Sequence, residues 1–156
     1  MRKAIVIVIA LMIVATAATA GEKPKQEIVG MWQTIVQETG ITGVRVYSAD
    51  GTVNQAQSVP GSMSNSVGVW EVCDTDPCAP GTQNRYRLRM IMYAVDQGVP
   101  VTIETQEVVT VRDGKIITDD DAGDFVAIHV TSLDGTPFSP PGGFRFHEFG
   151  EKLQIK

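Results

Sequence analysis

The chain has 156 residues and a formal net charge of −5, an acidic balance that repels nucleic acid and anionic lipid surfaces and so excludes both as partners. Its length suits one domain with a core of its own, and its one long apolar run falls short of the about 20 residues a spanning helix needs. No cofactor motif stands in it: there is no nucleophile elbow, phosphate loop or HExxH.

The N-terminus comes first. Arg2 and Lys3 precede an unbroken apolar run, Ala4 to Val14, and small residues follow at Ala18 and Ala20. This is the three-part pattern of a secretory signal, with cleavage expected near Ala20. An uncleaved anchor is the weaker reading, because the run is short and a small-residue site follows it. No cysteine follows to carry a lipid. The expected division is a signal over 1–20, a polar tail over 21–27 and one domain over 28–156, secreted or periplasmic. Without Arg2 and Lys3, 11 basic residues face 18 acidic ones, a charge of −7.

Beyond the signal, period-2 alternation and turn residues recur, and helical periodicity is nearly absent. Ile28 to Glu38 reads as a strand. Thr42 to Ser48 is another, with Val44 and Val46 on one face and Arg45 and Tyr47 on the other. Ala49-Asp50-Gly51 supplies a hairpin turn, because Gly after Asp accepts the positive φ such turns require. Thr52 to Ser58 returns, and Val59 to Ser66, rich in Gly, Ser and Pro, reads as a loop. Val67 to Cys73 is the next strand.

Cys73 and Cys78 flank Asp74, Asp76 and Pro77. In an exported protein their default is a disulfide. The ring is small, so its stabilisation falls at the low end of about 2–4 kcal/mol. A redox role would need a thiolate favoured by basic neighbours, and the two aspartates oppose that.

Asn84 to Val95 is the clearest strand: Arg85, Arg87 and Arg89 share one face, and Tyr86, Leu88, Met90 and Met92 the other. Val99 to Val111 returns after Asp96-Gln97-Gly98. The arginine stripe finds candidate acidic partners there in Glu104 and Glu107. Lys115 to Thr118, Asp124 to Leu133 and Phe144 to Phe149 complete the series, separated by turns and by the stiff loop Thr136 to Gly143. Asp119, Asp120, Asp121 and Asp124 gather oxygens but lack the spacing and terminal Glu of a calcium loop, so they read as a solvated turn. No metal site is expected.

Eight or nine strands with short local connections make an all-β, antiparallel up-and-down barrel of about eight strands. Closure removes the exposed edges that a long meander would leave. A β-sandwich is the alternative, but it usually uses longer crossovers.

Gly30-Met31-Trp32 at the start of the first strand resembles the Gly-x-Trp motif of the calycins. Together with "VYSADGTV", "GVWEV" and the strand containing Tyr86, the chain from about Ile28 to Phe149 resembles small secreted bacterial lipocalin-like, or allene-oxide-cyclase-barrel-like, proteins. The resemblance implies a barrel whose closed end is plugged by Trp32. It also implies a basic residue of the last strand over the indole, for which the candidate is Arg145. The pattern departs from true lipocalins in lacking a C-terminal helix and in carrying the Cys73–Cys78 loop.

Three functions follow. The leading one is an exported barrel that binds a small apolar ligand along Tyr86, Leu88, Met90 and Met92, methionine being well suited to adaptable pockets. The second is a packed structural or interaction barrel. The third is a cyclase or isomerase, whose polar group inside the barrel would be Glu71, Glu104 or His129. No catalytic residue is assigned. His147 and Glu148 are adjacent on a strand and so point to opposite faces. No oligomeric state follows from the pattern.

Overall fold

Period-2 alternation with turns at Asp50-Gly51 and Asp113-Gly114 produces an all-β chain in the computed structural model, which describes residues 26–59, 62–78, 84–96 and 98–154. The expected signal over 1–20 and the tail as far as 25 lie outside the described residues. The strands are β1 (Gly30–Val36), β2 (Thr42–Tyr47), β3 (Thr52–Val59), β4 (Ser62–Val72), β5 (Arg85–Asp96), β6 (Val99–Arg112), β7 (Lys115–Ile117), β8 (Phe125–Ser132), β9 (Phe144–Phe146) and β10 (Glu148–Lys152).

β1 to β7 pair antiparallel in sequence order, β8 pairs with β6 and β9, and β10 pairs with β7 and returns to β1, with Trp32 opposite Lys152 and Val36 opposite Glu148. On one flank of β6, Val101–Val108 pairs with β8 and Thr110–Arg112 with β7. So β7 and β8 are one barrel strand interrupted by residues 118–124. In the same way, β9 and β10 are one strand broken at His147. The result is a closed eight-stranded antiparallel barrel, which rules out the sandwich.

One loop expectation needs correction. The stretch from Ser62 to Ser66, read as loop, belongs to β4, in register with β3 from Val59↔Ser62 to Gln55↔Ser66. Small polar residues have weak strand preference, but pairing with an existing strand overrides it. Between β7 and β8, Asp119 caps a short 3₁₀ turn over Asp120–Ala122.

The core fills the barrel from the Trp32 end to the level of Met90. Trp32, Tyr47, Val53, Trp70, Tyr86, Leu88, Met90 and Ile116 pack in one cluster with Ile28, Val109 and Val111. Trp70 makes edge-on contacts with Tyr47 and Tyr86, at ring separations of 6.4 and 5.7 Å. Its indole N–H donates to Ser48 O at 3.0 Å, and that of Trp32 to Ile28 O at 2.7 Å, so both buried rings keep their one donor satisfied. A small second core lies outside the wall, where Cys73 and Cys78 cover Val108 beside Phe125. Among the described residues no helix is long and apolar enough to cross a membrane.

Candidate functional site

Tyr86, Leu88, Met90 and Met92 all face into the barrel and are buried. Reading along β5 away from the Trp32 end, they stand opposite Val109, Glu107, Thr105 and Ile103 of β6. The partner of Leu88 is therefore a carboxylate, and the interior is not simply apolar.

Around that level lies a charged cluster. Arg45 of β2 is 2% exposed and Glu107 of β6 is 1% exposed, deep inside the wall. Arg45 Nη1 and Nη2 donate to the two Glu107 oxygens at 2.6 and 2.8 Å, a bidentate clamp. Nη1 also reaches Glu148 Oε2 of β10 at 2.8 Å and the Tyr47 hydroxyl at 3.2 Å, while Nε donates to Gln55 Oε1 at 2.6 Å. Gln55 Nε2 passes the chain on to Gln57, whose own amide lies 3.7 Å from the Met92 sulfur. Four strands thus meet at one guanidinium.

Two carboxyls share one cation here, and burial decides the state of Glu148. Desolvation pushes Glu148 up to about 8, with Glu107 adding repulsion and Arg45 opposing it. At neutral pH Glu148 keeps its proton, and Arg45 is balanced by Glu107. Burial works against the charged guanidinium, but Glu107 and Glu148 outweigh it and hold Arg45 well above its ordinary value. Burial also raises the Tyr47 phenol, so it stays neutral.

The closed end differs from expectation in its cation. Arg145 is not the partner of Trp32: its guanidinium lies 4.4 Å from the Phe125 ring, because β9 pairs with β8 and never reaches β1. Lys152 takes that place, with Nζ 5.1 Å from the Trp32 ring centroid. Gly30 makes room for it. Its φ is +136°, and a Cβ there would stand 2.9 Å from Lys152 Cε.

The polar groups expected inside for an enzyme, Glu71, Glu104 and His129, are on the outer face. Arg89 pairs with Glu104 at 2.9 Å, His129 stands opposite Glu104, and Arg87 lies 3.4 Å from Glu71. Glu107 is not a partner of the arginine stripe, because it points the other way. Arg85 is buried against Asp124 at 2.6 Å, and Thr110 donates to the same carboxylate at 2.7 Å. Asp124 therefore anchors the 118–124 excursion to the wall and is not solvated.

Arg87 steadies the clip by donating to Thr75 Oγ1 and to Asp76 O at 3.1 and 2.9 Å. Cys73 and Cys78 form the expected disulfide. A groove of about 380 Å³ beside the clip, lined by Arg87, Arg89, Glu104 and Phe125, presents cations that are already paired.

His147 points outward at the β9–β10 break. Its Nδ1 meets Glu38 and its Nε2 lies 2.9 Å from Asp120, and both hydrogen bonds raise its pKa. Among the described residues no group of His, Cys, Asp or Glu is arranged to hold a metal ion.

Alternation, read on its own terms, already puts Glu107 in line with Val109 and Val111, and Arg45 in line with Tyr47. On β2 the pattern alone does not say which face is inward, and that is what hid the cluster. No protein-family model, curated protein or solved structure matches this chain.

Proposed function

We propose that the protein is an exported small-molecule-binding barrel whose ligand has an apolar body and an uncharged hydrogen-bonding head. The observation that carries this reading is the layer of Arg45, Gln55, Glu107 and Glu148 level with Leu88, with Met90 and Met92 beyond it. Buried ion pairs add little stability over apolar side chains of similar size. A barrel that only needed filling would gain nothing from these groups; one that recognises a polar head would. Arg45 is already neutralised by Glu107, so an ionic head would leave an unbalanced charge, whereas an alcohol or carbonyl would not. Leu88, Met90 and Met92 would hold the apolar body.

The Gly30-x-Trp32 entry into a closed eight-stranded barrel supports kinship with the lipocalin-like calycins. The Cys73–Cys78 bond and the signal-like residues 1–20 support work outside the cytosol.

The test is Nile red uptake by the exported protein, followed by displacement. A long-chain alcohol should displace the dye, the matching carboxylate should do so poorly, and Met90→Trp should abolish uptake while leaving the fold intact. Absence of uptake, or a Met90→Trp protein that unfolds, would replace this reading with the packed interaction barrel.

Glu148 favours a second reading, a cyclase or isomerase. A carboxyl that titrates near 8 can give up and retake a proton at neutral pH. A bound ligand recovered chemically rearranged from the native protein, but unchanged from Glu148→Gln, would establish it.

A further inference from the structure

Apolar side chains stand on the outer wall of β1–β5, and on β2 the usual alternation is inverted. An antiparallel sheet with one face to water normally turns its polar side chains outward. Here β2 buries Arg45 and exposes Val44 and Val46, at 39% and 37%. On β4, Val67 and Val69 are 62% and 60% exposed.

The register joins these positions. Met31 stands opposite Val46, Val46 opposite Asn54, Asn54 opposite Val67, and Val67 opposite Ile91, a single row across five strands. The neighbouring row runs through Gln33, Val44, Ala56 and Asn65. Neither row contains a charged residue, in a chain in which 20% of residues are charged. Exposed apolar surface that is contiguous over several hundred Å² marks an interaction site.

We propose that this wall is the interface of a homo-oligomer, and that its occupant is the same wall of a second copy. Three features select a second copy. Each chain carries a formal charge of −5, so copies repel one another over most of their surfaces, and this uncharged wall is where they approach at least cost. An isologous contact must also complement itself. Gln33, Asn54 and Asn65 do so, because an amide both donates and accepts, and the valines between them pack against their like. In extent, the two rows with the exposed Val69 offer a surface on the order of the ~800 Å² per partner that a stable interface buries. The contact is sheet on sheet, like the packed faces of a sandwich.

The test uses the protein as exported, with its N-terminus read by mass spectrometry, in sedimentation velocity over a range of micromolar concentrations. The expected result is a dimer. Val67→Asp, and separately Val46→Asp, should shift it to monomer with an unchanged circular dichroism spectrum. Asp74→Asn on the clip should leave the oligomer intact. A wild-type monomer at every concentration overturns the proposal, as does an oligomer that survives both aspartates. A monomer that co-sediments with phosphatidylcholine vesicles also overturns it, and assigns the wall to a lipid surface.

Discussion

Lys152 and Trp32 hold the closing seam of the barrel together: the ammonium lies 5.1 Å from the indole centroid while donating to Glu27 O at 2.7 Å. A cation over an indole face contributes about 0.5–2 kcal/mol, more as it is desolvated. Because the two residues are also directly opposed in the β1–β10 ladder, packing and pairing reinforce each other at one point.

Trp32→Ala should cost about 3–5 kcal/mol, as expected for a buried large aromatic. Lys152→Ala should cost about 1 kcal/mol, and the double variant should fall short of the sum by about 0.5–1 kcal/mol. Arg145→Ala combined with Trp32→Ala should be additive. Urea unfolding of the set reads the coupling. Coupling of Trp32 to Arg145 rather than to Lys152 would contradict the observed seam.

Glu107→Ala should destabilise by about 3–5 kcal/mol, because it strands the Arg45 charge in the interior. Replacing both residues, Arg45→Met with Glu107→Leu, should recover much of that loss. A single variant no worse than the double would mean that water or another acid reaches Arg45. Thermal and urea melts of the three proteins decide it.

Glu148 makes stability depend on pH in an unusual direction for an acid. Its folded value, near 8, lies above the ordinary 4.5, so between them the folded state keeps a proton that the unfolded state has released. Stability therefore falls as pH rises through that window, by up to about 1.4 kcal/mol per pH unit, and the contribution is fully retained only below the lower value. Glu148→Gln removes the proton from the cycle. Its stability relative to wild type should climb steadily from about pH 5 to about pH 9 in urea titrations. Parallel curves would show that Glu148 is ionised in the barrel.

Gly68→Ala should cost about 3 kcal/mol or more. A Cβ at this position would stand 2.0 Å from Arg89 O and 2.7 Å from Met90 Cα, both backbone atoms that can move only if β4 and β5 separate. An unchanged melting temperature would contradict this close approach.

The barrel was legible because turns and alternation are local. β5 could be read to the side chain: three arginines against Tyr86, Leu88, Met90 and Met92 leave little doubt which face is wet. β2 could not, since both of its faces carry plausible core residues, and the burial of Arg45 depends on Glu107 and Glu148, far away in the chain. The identity of the cation over Trp32 turns on the strand break at His147. That break carries the last strand on to Lys152, past the Phe149 end expected from the pattern. The stretch from Ser62 to Ser66 looked like a loop by composition and is a strand by pairing. In each case the missing information was long-range register, which no local window contains.

The meander has a kinetic consequence at its seam. Seven of the barrel's eight strand contacts join neighbours along the chain and can form as hairpins; the β10–β1 contact cannot. It unites residues as distant as Arg45 with Glu148 and Glu38 with His147, which are 103 and 109 positions apart. Such a contact is entropically expensive to reach and forms late. A chain threading through a narrow pore from its N-terminus would therefore stay an open ribbon until β10 emerged. The guanidinium clamp, the indole cap and the histidine clasp would then engage together, like the last teeth of a zip.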